Sequence, residues 1–364
     1  MNFSPTPQEM IARARADLRM GAAIVLVDSA GQGSLVMAAE TMQESRWKLL
    51  QGAQHSPVLA ITRWRASTLK ARAYDGDLAR VRIPSDVNLA WVRAISDPAD
   101  DLITPMKGPL ISEREGFATA HRVALTLCKA ARLLPAAVVM PVENPLEMAR
   151  SQWLTLLRLD QVLPHLNDRS PLENIVHARL PLTVSEAGRL HVFRPEDGGE
   201  EHYAVEIGKP LRGAPVLCRL HSACFTGDLL GSLKCDCGPQ LRGALAQMGE
   251  EQSGILLYLN QEGRGIGLAN KMRAYALQDQ GFDTVDANHR LGFEDDERDF
   301  RLGSDILRAL GFSAVRLLTN NPAKVSMMEA SGIEVAERVP LRVGETLQNK
   351  GYLATKAAKS GHLL

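Results

Sequence analysis

Three thiols crowd into fourteen residues of this 364-residue chain: Cys224, then Cys235 and Cys237 within Lys234-Cys-Asp-Cys-Gly238. Thiolates are soft, strong metal ligands, and a loop can aim both sulfurs of a Cys-x-Cys pair at one ion where a regular strand could not. The competing reading is three small apolar side chains in a core. Asp228, Lys234 and Asp236 interleave with the thiols, and Gly227, Gly231 and Gly238 supply turns, which favours a metal. Zinc is the expected ion, being borderline-soft and thiolate-friendly. Three protein ligands leave a fourth position for water, the pattern of a catalytic zinc. A structural site with four cysteine ligands would need Cys218, which sits in an apolar strand pattern, or Cys128, far upstream.

The segment Gln261-Glu-Gly-Arg-Gly-Ile-Gly-Leu268 follows an apolar run and opens a helix pattern. Backbone N–H groups at such a start, unobstructed at Gly263, Gly265 and Gly267, can cradle an anion. A plain flexible turn explains the glycines equally well, because the segment is neither a Walker A loop nor a dinucleotide fingerprint. Arg264, Lys271 and Arg273 nearby make a phosphate ligand more plausible. Asn320-Asn321-Pro322 reads as a helix start, with Asn321 as cap and Pro322 as first residue. Thr319 and Lys324 would face the same crevice as the Gly-rich loop, or serve as ordinary surface residues. Every residue from 294 to 299 is charged, Asp296 and Arg298 among them, and such a run reads as a solvated loop. Tyr275 falls on the apolar stripe Leu268, Met272, Tyr275, Ala276, which makes it a core residue whose hydroxyl needs a partner.

These side chains need a frame. A strand pattern at 215–221 runs into the cysteine loop, Gly238-Pro239 starts a helix that Gly254 ends, and 255–259 is an apolar run of strand length. A helix over 268–278 and a strand over 314–319 follow. Strand-loop-helix repeated in this way predicts a parallel or mixed sheet whose ligands sit beyond the carboxyl ends of its strands. Upstream, Met10, Ile11, Ala14 and Leu18 mark an amphipathic helix, 22–27 and 136–140 read as strands, and the apolar stretch 35–39 follows a turn at 31–34. Residues 119–134 are helical in composition, and Pro135 stops them. Pro141-Val-Glu-Asn-Pro145 and Asn167-Asp-Arg-Ser-Pro171 mark the best boundaries, so the domains are expected at 1–170 and 171–364. The fold class is α/β: two domains, each a mixed sheet with helices packed on it.

The 42 basic residues balance the 42 acidic ones, which removes any global electrostatic reason to expect nucleic acid or an anionic membrane as partner. No apolar run approaches the ~18 residues of a spanning helix, and the first residues lack signal-peptide order, so a soluble cytoplasmic protein is expected. Five cysteines, an odd number, point to thiols or metal ligands rather than a disulfide scaffold.

Taken together, Arg219-Leu-His-Ser-Ala-Cys-Phe-Thr-Gly-Asp228, the Cys235/Cys237 block, the Gly-rich loop, Arg273-Ala-Tyr-Ala-Leu-Gln-Asp-Gln-Gly281, Asp296-Glu-Arg-Asp-Phe300, Leu318-Thr-Asn-Asn-Pro322 and Gly361-His-Leu-Leu364 closely resemble GTP cyclohydrolase II. The likeness runs from about Arg179 onward, block by block in the family's order. It implies a zinc enzyme that opens the imidazole ring of GTP, releasing formate and pyrophosphate, at the first step of riboflavin synthesis. It implies zinc on Cys224, Cys235 and Cys237, and a nucleotide site lined by Arg219, Leu220, His221, Ser222, Ala223, Gln240, Glu262, Gly263, Arg264, Thr284, Thr319 and Lys324. Asp296 would be the proton acceptor, Arg298 the nucleophile toward the α-phosphorus, and Tyr275 an aid to the ring chemistry. GTP with Mg²⁺ on its triphosphate would be the substrate, and a homodimer the working state. Ala223 departs from the family's His-Ser-Glu-Cys, where a glutamate is expected. That departure keeps open a paralogue acting on a related purine nucleotide. A zinc-stabilised nucleotide-binding regulator without turnover is the remaining alternative, against which Asp296, Arg298 and Tyr275 all being present argues.

The N-terminal region is similar, more faintly, to 3,4-dihydroxy-2-butanone 4-phosphate synthase, through Leu35-Val-Met-Ala-Ala-Glu40 and Leu134-Pro-Ala-Ala-Val-Val139. That family's acidic loop is replaced here by Ser29-Ala-Gly-Gln-Gly-Ser34, and Thr119-Ala-His-Arg122 stands where its Gly-His-Thr-Glu motif would be. Without carboxylates nothing holds Mg²⁺ against a sugar phosphate, so the region is expected to be catalytically silent.

Overall fold

A computed structural model describes residues 3–341 and 343. The Gly361-His-Leu-Leu364 block lies outside the described residues. The chain forms two compact units, one of Met1–Arg169 with Ala269–Asp296, the other of Ser170–Leu268 with Glu297–Leu364. Both are α/β, each with a mixed sheet and helices packed on it. No helix among the described residues is long and apolar enough to cross a membrane.

The first unit holds strands β1 (Ile24–Val27), β2 (Gly33–Ala38), β3 (Val58–Thr62), β4 (Leu78–Arg82), β5 (Ala136–Val142) and β6 (Thr155–Arg158) in the order β4-β3-β5-β2-β1-β6. Pairing is antiparallel except between β1 and β6. Along β5, Ala137 and Val139 enter one buried cluster, with helices Pro7–Arg19 and Thr119–Ala130. Ala136, Val138 and Met140 enter the opposite one, with Trp47 of Glu44–Gln51 and Val92 of Leu89–Ser96. Burial on both faces is why β1 and β5 read as continuous apolar runs rather than alternating ones.

Helix Leu268–Asp279 turns inward a face other than its apolar stripe predicts. Asn270, Lys271, Ala274 and Leu277 are buried, whereas Leu268 and Met272 are exposed and Tyr275 is half-buried. Polar anchors set this rotation: Asn270 Nδ2 donates to the Arg132 carbonyl at 3.1 Å, and Arg273 pairs with Glu40 at 2.9 Å. Periodicity misread Tyr275 because here hydrogen bonds, not apolar area, choose the face.

The second unit holds β7 (Leu172–Arg179), β8 (Gly188–Pro195), β9 (His202–Gly208), β10 (Val216–Ser222), β11 (Ser253–Leu259), β12 (Ala314–Leu318) and β13 (Glu334–Val339), ordered β13-β12-β10-β11-β9-β8-β7. The strands β12, β10 and β11 run parallel side by side, and β7 to β9 form an antiparallel meander on the β11 side. Cys218 and Leu220 of β10 face a cluster with helices Arg301–Ala309 and Pro322–Ala330. Leu217 faces the other cluster, with Ala244 and Met248 of helix Cys237–Glu250. That helix ends at Glu250, short of the expected Gly254, which lies inside β11 with its Cα against Met248.

Candidate metal centre and anion-binding edge

Because β10, β11 and β12 are parallel, the loops leaving their carboxyl ends share one edge of the second unit. The first of these loops carries Cys224, makes a single π-helical turn over Phe225–Leu229, passes Cys235 and enters helix Cys237–Glu250 at its first residue. The three sulfurs lie within 4.8 Å of one another, with Cys224 and Cys235 3.7 Å apart. The Gly227 N–H reaches Cys224 Sγ at 3.3 Å. A Cβ on Gly227 would lie 2.6 Å from Cys235 Sγ and 3.0 Å from Cys224 Sγ, so only glycine leaves the cradle open. Hydrogen bonding from Cys224 and crowding among the sulfurs raise the Cys235 thiol and push Cys237 well above its ordinary pKa. Such a set ionises together only against a cation, so the trio is suited to a metal ion. Cys218 points to the opposite face of β10 and burial pushes its thiol up to about 12, which removes it as a fourth ligand. Cys128 belongs to the first unit and is equally buried.

Asp228 ties this loop to the sheet. Its Oδ2 accepts the Cys224 N–H and the Tyr258 hydroxyl, each at 3.0 Å, and His221 Nε2 lies 3.0 Å from both carboxylate oxygens. His221 and Tyr258 are register partners on β10 and β11, their rings stacked 5.5 Å apart. Burial lowers the His221 pKa, the Asp228 contact only partly opposing it, and burial with the Asp228 charge raises that of Tyr258.

A second buried relay runs beneath. Arg219 donates to the Leu318 carbonyl at 2.9 Å and to Gln240 Oε1 at 2.5 Å, and Gln240 Nε2 donates to Asp236 Oδ2 at 2.5 Å. It fastens the cysteine loop and its helix to β10 and β12. Burial lowers the Arg219 pKa. Lys324, also buried, donates to the Leu220 carbonyl at 3.1 Å. Thr319 follows β12 directly, and Asn321 caps helix Pro322–Ala330 by accepting the Ala323 N–H at 2.9 Å, as its sequence position predicts. Arg219 Nε, His221 Nδ1 and Gln261 Oε1 have no hydrogen-bond partner among the described residues, although their residues are more than nine-tenths buried. Orphaned polar atoms at a strand edge are the complement of a ligand's donors and acceptors.

The loop after β11 carries Glu262, Gly263 and Arg264. Glu262 Oε2 accepts the Phe225 N–H at 2.6 Å, which links it to the cysteine loop. Arg264 holds φ of 62°, a strained value for a side-chain-bearing residue. Gly265, φ 93°, presses on the Glu297 carbonyl, which a Cβ would approach to 2.7 Å, and the Glu297 N–H donates to the Arg264 carbonyl at 3.0 Å. This docking delivers Arg298, whose Nη1 lies 3.3 Å from Ser222 Oγ and whose guanidinium covers the Phe300 ring at 4.6 Å. Ala223 is held through its backbone, its N–H donating to the Leu259 carbonyl at 2.8 Å.

The remaining sequence candidates, Tyr275, Thr284 and Asp296, belong to the first unit. Lys271 Nζ lies 5.7 Å from the Tyr275 ring centroid, Thr284 accepts from Gln278 Nε2 at 3.1 Å, and Asp296 is exposed in an irregular loop. Arg273, considered as a phosphate ligand, instead spends its guanidinium on Glu40, Asp97 and Asn270. The sequence placed Asp228 among the charges interleaved with the thiols and Gln261 at the head of the Gly-rich segment without giving either a partner, and it did not single out Tyr258. Asp228 stands four residues after a metal-ligand candidate, which was the only local signal.

Fold and site together define an α/β protein with a three-cysteine centre able to hold a metal, set at the carboxyl edge of a parallel strand trio beside buried basic side chains. The family model for GTP cyclohydrolase II matches residues 173–340. A GTP cyclohydrolase-2 of Azospirillum brasilense is 43% identical over 359 residues, covering 97% of this chain and 93% of that protein, and the chain belongs to the GTP cyclohydrolase II family. A GTP cyclohydrolase-2 of Pseudomonas aeruginosa (strain LESB58) is 55% identical over 190 residues, which is 52% of this chain and 92% of that protein. Among solved structures, a two-domain 3,4-dihydroxy-2-butanone 4-phosphate synthase from A. baumannii covers 91% of this chain and is itself 99% covered, at 17% identity and a TM-score of 0.34.

Proposed function

We propose that this chain is a zinc-dependent GTP cyclohydrolase II: it hydrolyses GTP with opening of the imidazole ring, loss of formate and release of pyrophosphate, at the first step of riboflavin synthesis. The observation that carries the reading is the thiol cradle of Cys224, Cys235 and Cys237 sharing one edge with the unsatisfied buried atoms of Arg219, His221 and Gln261. When bound there, zinc supplies Lewis acidity for attack of water on the ring carbon.

The chain's own residues do the rest. Arg219, held by Leu318 and Gln240, and His221, held by Asp228, present fixed donors and acceptors to the nucleotide; Leu220, Ser222, Ala223, Glu262, Gly263 and Thr319 complete that lining, and Thr284 is assigned to nucleotide binding. A triphosphate carries about four negative charges at neutral pH, and Arg264 and Lys324 meet them, with Mg²⁺ arriving on the phosphate oxygens. Arg298 is assigned to the α-phosphorus. Arginine is a poor nucleophile and the usual stabiliser of phosphate charge, and its seat over Phe300 fixes the guanidinium in place, which favours stabilising phosphate charge over nucleophilic attack. Pyrophosphate release surviving in Arg298→Lys but not in Arg298→Ala supports that role; equal loss in both speaks for attack. Asp296 is assigned as proton acceptor and Tyr275 as an aid to ring opening. A homodimer in the cytoplasm is the proposed working form, and residues 1–170 are proposed to have no synthase chemistry of their own.

The test is Cys235→Ser. A neutral hydroxyl is a far poorer zinc ligand than a thiolate, so zinc content and formate release should fall together. One zinc per chain with undiminished formate release would refute the assignment.

A further inference from the structure

Residues 269–296 lie inside the span that matches the GTP cyclohydrolase II family, yet they form one compact unit with residues 1–169. The anchoring is directional and recurs along the segment. Arg273 is gripped from two sides, Nη2 to Glu40 at 2.9 Å and Nε to Asp97 at 3.1 Å. Thr62 Oγ1 donates to the Gly292 carbonyl at 2.8 Å, and a Cβ on Gly292 would fall 2.8 Å from that same oxygen. Trp64 lies flat on His289, centroids 3.7 Å apart and planes 2° from parallel, and donates Nε1–H to Glu294 at 2.7 Å.

These anchors bracket the residues that the proposed chemistry needs. Arg273 stands two residues before Tyr275, Glu294 two before Asp296, and Thr284 lies between the anchored residues Arg273 and His289. Two residues of chain span at most about 7 Å, so an anchor fixes its neighbour's position almost as closely as its own. The relative from Pseudomonas aeruginosa matches over 190 residues that make up 92% of its length, which leaves little chain for a region like 1–169. A protein named for the same reaction thus does without such a region.

We infer that residues 3–169 are a positioning scaffold: through Glu40, Asp97, Thr62 and Trp64 they set where Tyr275, Thr284 and Asp296 stand for the cyclohydrolase reaction. The functional half of this inference rests on the function proposed above; the structural half does not.

The test uses the full chain with Glu40→Gln and Asp97→Asn combined, which removes both charges facing Arg273 without shortening either side chain. Thr62→Val serves as a second, milder variant that removes only the hydroxyl held by the Gly292 carbonyl and its cap on the Arg65 N–H. Three quantities are read: amide hydrogen exchange over 269–296, zinc content, and kcat and KM for GTP. Exchange in that segment should quicken, and kcat should fall by about 10- to 100-fold, the scale of loss when a reacting group is misplaced by an ångström. Zinc content should stay at the wild-type level and KM should move little. Unchanged exchange in both variants overturns the scaffold, and quickened exchange with wild-type kcat overturns its part in catalysis. Should the unaltered chain fail to turn over GTP, the proposed function is what fails, and exchange alone still decides whether 3–169 hold the segment.

Discussion

Gly238 rests against the carbonyl of Gly227 so closely that a Cβ there would fall 2.1 Å from the oxygen. The contact draws the first turn of helix Cys237–Glu250, and with it Cys237, onto the loop that presents Cys224. Gly238→Ala should force the two segments apart, at a cost of about 1–3 kcal/mol as for other overpacked sites. Zinc content after dialysis should drop clearly below that of the unaltered protein. A variant with undiminished zinc would show that the close approach does not set the sulfur spacing.

Tyr258 contributes through Asp228 rather than through the metal site directly. Removing its hydroxyl in Tyr258→Phe leaves Asp228 with the Cys224 N–H and His221, and should lower unfolding stability by about 1 kcal/mol, the usual net worth of one hydrogen bond. Thermal unfolding of the two proteins side by side checks it. No shift, or a loss several times larger, would mean that the hydroxyl has a different task.

The first unit should weaken in mild acid because of His121. Burial, helped by the Arg80 charge, lowers its pKa to about 4. The unfolded chain takes up that proton near pH 6.5 while the folded one refuses it, so the unfolded state binds more protons in between. The stability tied to a neutral His121 is therefore complete above about pH 6.5 and is lost as pH falls toward 4. Urea unfolding at about pH 7 and about pH 5, followed by fluorescence of the buried Trp47, should show the decline, and His121→Gln should flatten it. Equal pH dependence in both proteins would exonerate His121.

Much of the second unit was legible because its signals are local. The apolar runs that became β10, β11 and β12, the Asn321 cap and the Cys224/Cys235/Cys237 spacing each depend on neighbours in sequence. What hid were relationships made across strands. Tyr258 meets Asp228 only because β11 pairs with β10 in the register that sets Tyr258 opposite His221. The antiparallel meander β7 to β9 went unseen, its β7 being largely exposed and so lacking the apolar run that marks the buried strands. The rotation of helix Leu268–Asp279 was misread for a related reason: Arg273 is anchored by Glu40 and Asp97, residues more than 170 positions away. In the first unit β1 and β5 were readable from their apolar runs, and β2 overlaps the apolar stretch 35–39, whereas β4, with Arg80 and Arg82 in a strand of five residues, was not.

The most direct measurement is incubation of the purified, zinc-loaded full chain with GTP and Mg²⁺, following formate, pyrophosphate and the ring-opened diaminopyrimidine together. The account predicts all three in equal amounts, and their loss when zinc is removed by a chelator and their return when it is restored. Intact GTP after many hours, or pyrophosphate appearing without formate, would contradict it.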